Sequence, residues 1–115
     1  MLTIILSIIV AVIHFYFLYL EMFQWEAKRT RKIFNTSPEQ ASETKTMAAN
    51  IGLYNGLFAA SIFFAVWTGA STMLAFLLGC IVVAGIYGAM TATYRALIVQ
   101  GGPAILALIF LYLGM

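Results

Sequence analysis

Hydrophobic positions fall into four long runs along the chain, separated by short polar segments. The first three runs are long enough to cross a hydrocarbon core of about 30 Å, since a helix rises about 1.5 Å per residue. The segment 100–103 (Gln-Gly-Gly-Pro) breaks the chain before the fourth run, which is therefore shorter. We predict an all-α membrane protein, a four-transmembrane-helix bundle with a short last helix, in a single domain (1–115). The predicted spans are residues 2–25, 47–67, 72–94 and 103–115.

Two of the polar segments have clear turn chemistry. Residues 34–46 are predicted to be the main polar loop. Within this loop Pro38 fits the first turn of a short surface helix, with Ser37 as its cap and Gln40 three residues later. Residues 68–71 form a short uncharged turn, so the second and third spans are predicted to be an antiparallel pair.

Charge is scarce and concentrated. Only 9% of residues are charged and 63% are hydrophobic, whereas soluble domains carry about 25% charged residues. Nearly all the charges lie between residues 21 and 45, a stretch that is too short and too mixed in sign for nucleic-acid binding. The positive-inside rule places this loop and Arg95 in the cytoplasm, with both termini outside. A three-span alternative, in which the last segment is only interfacial, would place the C-terminus in the cytoplasm.

Small residues recur every four positions on two of the spans. On the second span these are Gly52, Gly56 and Ala60, and on the third span they include Ala84 and Gly88. Such faces allow helix backbones to approach closely in lipid. We therefore expect a homodimer that packs through the Gly52/Gly56 face or the Ala84/Gly88 face.

Polar side chains inside the spans are the candidates for function. His14 and Glu21 are seven residues apart on the first span, about 10 Å along one helix face. A carboxyl group facing lipid would cost about 2.5–3.5 kcal/mol, so Glu21 should face protein or water. We predict a polar chamber that opens to the cytoplasm. Its ligand-binding or proton-linked residues are predicted to be His14, Glu21, Asn50, Tyr54, Asn55 and Gln100.

Each of these side chains also has an interpretation without a ligand. Glu21 fits an interfacial acid or an ion pair with Arg95, and His14 fits a hydrogen bond between helices. The Asn and Gln side chains fit contacts between helices or a helix start. One histidine and one cysteine, Cys80, do not make a metal site, so we predict no metal and no cofactor.

The pattern resembles a known family of small bacterial integral membrane proteins, domain of unknown function 1304. The resemblance covers nearly the whole chain and rests on His14 with Glu21 and Trp25, on residues 50–56 (Asn-Ile-Gly-Leu-Tyr-Asn-Gly), and on Gln100 with Pro103. It implies four spans and a bacterial inner membrane, and it implies no activity.

Three classes of function remain open at this stage. The first is binding or transport of a small or lipid-soluble molecule, or of a proton, through the polar chamber. The second is a membrane-embedded enzyme that uses His14 and Glu21 as acid and base. The third is a structural or accessory subunit of a membrane complex. The chain has no nucleophile with an adjacent base and no nucleotide-binding loop, so we place binding before catalysis.

Overall fold

The chain folds into five helices and no strand. The structure is a computed structural model that describes residues 1–115. Four of the helices, all except α2, are long and apolar enough to cross a membrane, and the last of the four is the shortest. The predicted fold class is confirmed. The helices are α1 (Leu2–Phe23), α2 (Lys28–Phe34), α3 (Pro38–Thr68), α4 (Ser71–Thr91) and α5 (Tyr94–Tyr112).

The start of α3 confirms the predicted cap but not the predicted length of the helix. The Ser37 amide donates to Gln40 Oε1 (3.0 Å), and the Gln40 amide donates to Ser37 Oγ (3.1 Å), which is a reciprocal capping box. The helix then continues for 31 residues to Thr68. It is continuous across the predicted boundary at residue 47, and no Gly or Pro interrupts residues 39–51. The interpretation of residues 34–46 as one polar loop was wrong.

The turn between α3 and α4 is the one that the sequence predicts. Gly69 has a positive φ of 69°, a conformation that glycine adopts without steric strain. Its amide donates to the carbonyl of Val66 (3.3 Å), and the Ala70 amide donates to the carbonyl of Ala65 (2.9 Å). This pair of bonds is a Schellman motif, which satisfies the last carbonyls of α3.

The break before the last helix occurs earlier than predicted. Ala92 leaves the helical conformation, and Thr93 is extended with its hydroxyl accepting from the Arg95 amide (3.3 Å). Residues 100–103 instead lie within α5, where Leu97–Gly101 forms a π-helical turn. Proline lacks an amide and its ring clashes with the carbonyl four residues earlier in a regular α-helix. The wider π-helical turn just before Pro103 accommodates the proline ring, and the helix therefore continues to Tyr112.

Contacts divide the chain into two compact units. Unit 1 comprises residues 1–13 and 59–115, and unit 2 comprises residues 14–58. The prediction of a single domain stays a prediction. The buried hydrophobic side chains of unit 1 come from α1, α3, α4 and α5, and they are Val10, Ala11, Ala59, Ile62, Ala65, Leu74, Leu78, Ile81, Ala104 and Ala107.

Glycine brings helix backbones together in both units. In unit 1, a Cβ on Gly85 would lie 3.1 Å from the amide nitrogen of Gly101 and 3.3 Å from its Cα. In unit 2, Gly52 and Gly56 face Leu18 of α1. These glycines therefore allow helices of the same chain to pack closely against each other. The Gly52/Gly56 face predicted for dimer packing is covered by α1, so a homodimer, which stays a prediction, would need another surface.

Candidate functional site

An acid from α1 meets an amide from α3 in unit 2. Glu21 is only 7% exposed, and its Oε1 accepts a hydrogen bond of 2.5 Å from Asn55 Nδ2. Gly52 lies one turn before Asn55, and a Cβ on Gly52 would be 3.0 Å from the Glu21 Cβ. The absence of a side chain at Gly52 lets Glu21 approach, and Asn55 then supplies the donor that a buried carboxyl group needs.

The carboxyl group of Glu21 keeps unused capacity to accept hydrogen bonds. An ionised carboxylate offers about four acceptor positions. Asn55 is its hydrogen-bond donor in the structure, and Oε2 receives no bond from the protein. No ion pair joins Glu21 to a cation of unit 2, and Lys45 pairs with Glu26 instead (3.3 Å). Glu21 is therefore a buried acid that can accept a donor from a bound molecule.

Glu21 lines an open pocket of about 370 Å³. This volume lies in the range of about 300–1,000 Å³ that is common for small-molecule sites. Glu21 is the only charged side chain of the lining, so the pocket presents a single acidic group among apolar, aromatic and neutral polar neighbours. The lining residues are Glu21, Trp25, Phe34, Asn35, Thr36, Gln40, Thr44, Met47, Ala48 and Ile51.

Aromatic side chains form one wall of this pocket. The rings of Trp25 and Phe34 are tilted against each other with centroids 5.1 Å apart. Trp25 Nε1 donates to Thr44 Oγ1 (3.1 Å), which ties the segment that follows α1 to the first turns of α3. Asn35 ends α2 in the left-handed conformation (φ 54°) and turns the chain towards α3. The segment between the two long helices thus builds the wall.

His14 does not share the pocket with Glu21. It lies two turns earlier on α1 and is 4% exposed. Its ring packs edge-on against Phe17, with centroids 5.7 Å apart. His14 is absent from the pocket lining, so the pocket holds one of the two groups that an acid–base enzyme would need.

The other predicted site residues are placed elsewhere. Asn50 is exposed and its side chain donates to the carbonyl of Thr46 (3.0 Å) within α3. Tyr54 is 68% exposed and lies outside the pocket lining. Gln100 is partly exposed in the π-helical turn of unit 1. Of the six predicted residues, the structure brings together Glu21 and Asn55. The functional roles of all six stay predictions.

Four lining residues on α3 were missed for two reasons. Gln40 and Thr44 were assigned to a polar loop, whereas Ala48 and Ile51 lie in the predicted second span and are apolar. Gln40, Thr44, Ala48 and Ile51 follow one another at spacings of three and four residues, which is one face of α3. The capping pattern at Ser37 is the signal that would have shown this face to begin nine residues earlier than the predicted span.

Comparisons with known proteins found similarity to a family of unknown function. Residues 8–112 match the family described as "Protein of unknown function (DUF1304)". The chain is similar to the uncharacterized protein YpaA of Lactococcus lactis subsp. lactis (strain IL1403), with 38% identity over 112 residues and 94% of each chain covered. No solved structure matches the chain. Both similarities extend across units 1 and 2.

Proposed function

Since the chain belongs to the DUF1304 family, whose description states no function, we propose its function from the Glu21 pocket. The protein binds a small lipid-soluble molecule that has an apolar body and a cationic, hydrogen-bond-donating head group, and a protonated amine fits best. The observation that carries this proposal is the buried Glu21 carboxyl group, held by Asn55 at one oxygen and facing a pocket with no other charge.

The chemistry of the lining supports an amine. An ammonium group donates three hydrogen bonds and accepts none, which suits a carboxylate whose second oxygen has no donor. It also stabilises the ionised form of Glu21, because opposite charges a few ångströms apart attract strongly where water is scarce. Trp25 and Phe34 offer ring faces to a cation, while Met47 and Ile51 cover an apolar body.

We also propose that the pocket faces the cytoplasm of a bacterial inner membrane, with both termini outside. The positive-inside rule supports this orientation, because the basic residues cluster between positions 28 and 45. In a Cys80→Ser background, Ser42→Cys is expected to react with a membrane-impermeant maleimide in inverted vesicles and not in intact spheroplasts. Thr72→Cys, an exposed residue on the turn side of α4, is expected to show the reverse. Equal labelling of Ser42→Cys in both preparations would contradict the orientation.

The test of binding is the Glu21→Gln variant, which keeps the shape of the side chain and removes its charge. Octylamine is the probe, and its dissociation constant is measured in lipid nanodiscs by native mass spectrometry. A hydrogen bond to a charged group contributes about 1.5–3 kcal/mol, so octylamine should bind the variant about 10- to 100-fold more weakly than wild type. Octanoate, with the same chain and the opposite charge, should bind neither protein at this site.

The matched control is Glu43→Gln, the same chemical change at an exposed position of α3. It should leave octylamine binding unchanged. If both variants bind octylamine like wild type, or wild type shows no saturable binding, the pocket is not an amine site. Glu21 and Asn55 then only fix the register of two helices, which is the structural-subunit interpretation.

A further inference from the structure

Basic side chains cover the exposed side of α2. Lys28, Arg29 and Lys32 are exposed, whereas Thr30 is only 1% exposed. Because adjacent helix positions differ by about 100° in direction, the three cations project from the side of the helix away from Thr30. We name Lys28, Arg29 and Lys32 the basic face of α2.

The cations of the basic face have no partner in the protein. None of them forms an ion pair or a side-chain hydrogen bond. The carboxylate of Glu26, the acid nearest to them in sequence, already pairs with Lys45 (3.3 Å). The first turn of α2 contains no acid, so Lys28 and Arg29 oppose the helix dipole, and Lys28 repels Lys32 one turn away. A bound anion would relieve both unfavourable effects.

The basic face lies close to the end of a helix that can span a membrane. Residues 24–27 alone separate α2 from α1, which is long and apolar enough to cross a bilayer. Even fully extended, this linker would cover no more than about 18 Å. The Ala27 amide donates to the Gln24 carbonyl oxygen (3.1 Å), so the linker turns instead of extending. When α1 spans a bilayer, the basic face is therefore at the level of the lipid head groups.

We propose that the basic face of α2 binds phospholipids whose head group carries a net negative charge. Lys and Arg side chains donate hydrogen bonds to phosphate oxygens, and the Arg29 guanidinium can bind two oxygens at once. Clusters of four or more cations beside a transmembrane helix are typical of segments that bind anionic lipids, and residues 28–32 contain four. The neighbouring Ile33 is 43% exposed and offers an apolar contact to the lipid body. The basic face selects an anion and the Glu21 pocket a cation, so ligands of opposite charge test the two proposals separately.

The experiment uses Trp25 as a local reporter in the full-length protein, reconstituted in phosphatidylcholine vesicles. The Trp25 ring lies 5.1 Å from the ring of Phe34 in α2, and Trp67→Phe removes the only other tryptophan. Bromine atoms on acyl chains quench the fluorescence of a nearby tryptophan. Dibrominated phosphatidylglycerol and dibrominated phosphatidylcholine are each mixed with unlabelled phosphatidylcholine. Their quenching gives the association constant of phosphatidylglycerol relative to phosphatidylcholine beside Trp25.

Phosphatidylglycerol should bind beside Trp25 more tightly than phosphatidylcholine does. Each Lys or Arg near an anionic surface changes the affinity about fivefold. Lys32→Gln should therefore lower the relative association constant about fivefold, and Lys28→Gln combined with Lys32→Gln about 5- to 25-fold. Arg95→Gln is the matched control, because it also removes an exposed cation, and it should leave the constant unchanged.

The second tryptophan tests whether the preference is local. In Trp25→Phe the remaining reporter, Trp67, lies in the last turn of α3 beside the uncharged residues 68–71, and it should show no preference between the two lipids. The proposal is overturned if both lipids quench Trp25 equally. It is also overturned if Arg95→Gln lowers the preference as much as Lys32→Gln, or if Trp67 shows the same preference, since net charge alone would then account for the effect.

Discussion

Replacing Gly85 by leucine is expected to lower the free energy of unfolding by about 3 kcal/mol, near the upper end of the usual range for overpacking. A Cβ at this position would lie 3.1 Å from the Gly101 nitrogen, 3.3 Å from the Gly101 Cα and 3.4 Å from the Ala96 carbonyl oxygen. All three atoms belong to the backbone of α5, which cannot rotate away as a side chain can. The larger leucine would therefore force α4 and α5 apart. Unfolding by a denaturing detergent, followed by circular dichroism, measures the loss.

Gly79 provides the matched control on the same helix. A Cβ on Gly79 would meet nothing within 4 Å, so Gly79→Leu adds the same side chain into open space. The substitution should be neutral or slightly stabilising, because leucine favours a helix more than glycine does. Similar losses for Gly85→Leu and Gly79→Leu would contradict the close packing of α4 on α5.

Asn55→Leu is expected to have the second large effect, a loss of about 2–3 kcal/mol in the free energy of unfolding. The change leaves the Glu21 carboxyl group buried without its donor, and an unsatisfied buried acceptor costs about 1–3 kcal/mol or more when charged. The same unfolding assay applies. Replacing both partners, Glu21→Leu with Asn55→Leu, should recover much of the loss, since apolar groups need no hydrogen bond.

Asn50→Leu is the control for this prediction. Asn50 lies on the same helix, is exposed and bonds only to a carbonyl of its own helix. Its replacement should change the free energy of unfolding by no more than about 0.5 kcal/mol. If Asn50→Leu and Asn55→Leu behave alike, or the double replacement is no more stable than Asn55→Leu alone, the Glu21–Asn55 bond does not contribute to stability as described.

Hydropathy was sufficient to predict the four long helices, because a run of apolar residues of this length has few stable alternatives in lipid. Local chemistry was sufficient for the cap at Ser37 and the turn at Gly69. It was misleading at residues 100–103, where Gly and Pro ordinarily mark a break. The structure accommodates Pro103 by widening one turn of α5, and the sequence carries no simple signal for that adjustment.

The candidate site was harder to predict than the helices. Glu21 could be predicted as a site residue because an acidic side chain that faces lipid is energetically unfavourable. Its hydrogen-bond partner could not be predicted. Adjacent helix positions differ by about 100° in direction, so Asn55 contacts Glu21 while Tyr54 faces outward. Only the packing of α3 on α1, set where Gly52 lets the helices approach, distinguishes these neighbours.

The length of α3 has a consequence for how a molecule would reach the Glu21 pocket. Its 31 residues extend over about 46 Å, whereas a hydrocarbon core is about 30 Å thick. The charged first turns of α3 project beyond the core, and Gln40 and Thr44 of those turns line the pocket. With α3 placed across a bilayer in the proposed orientation, the mouth would lie at the depth of the lipid head groups. If the proposed binding holds, an amphiphile diffusing in that leaflet would arrive already oriented, and occupancy would follow its mole fraction in the bilayer more closely than its concentration in water.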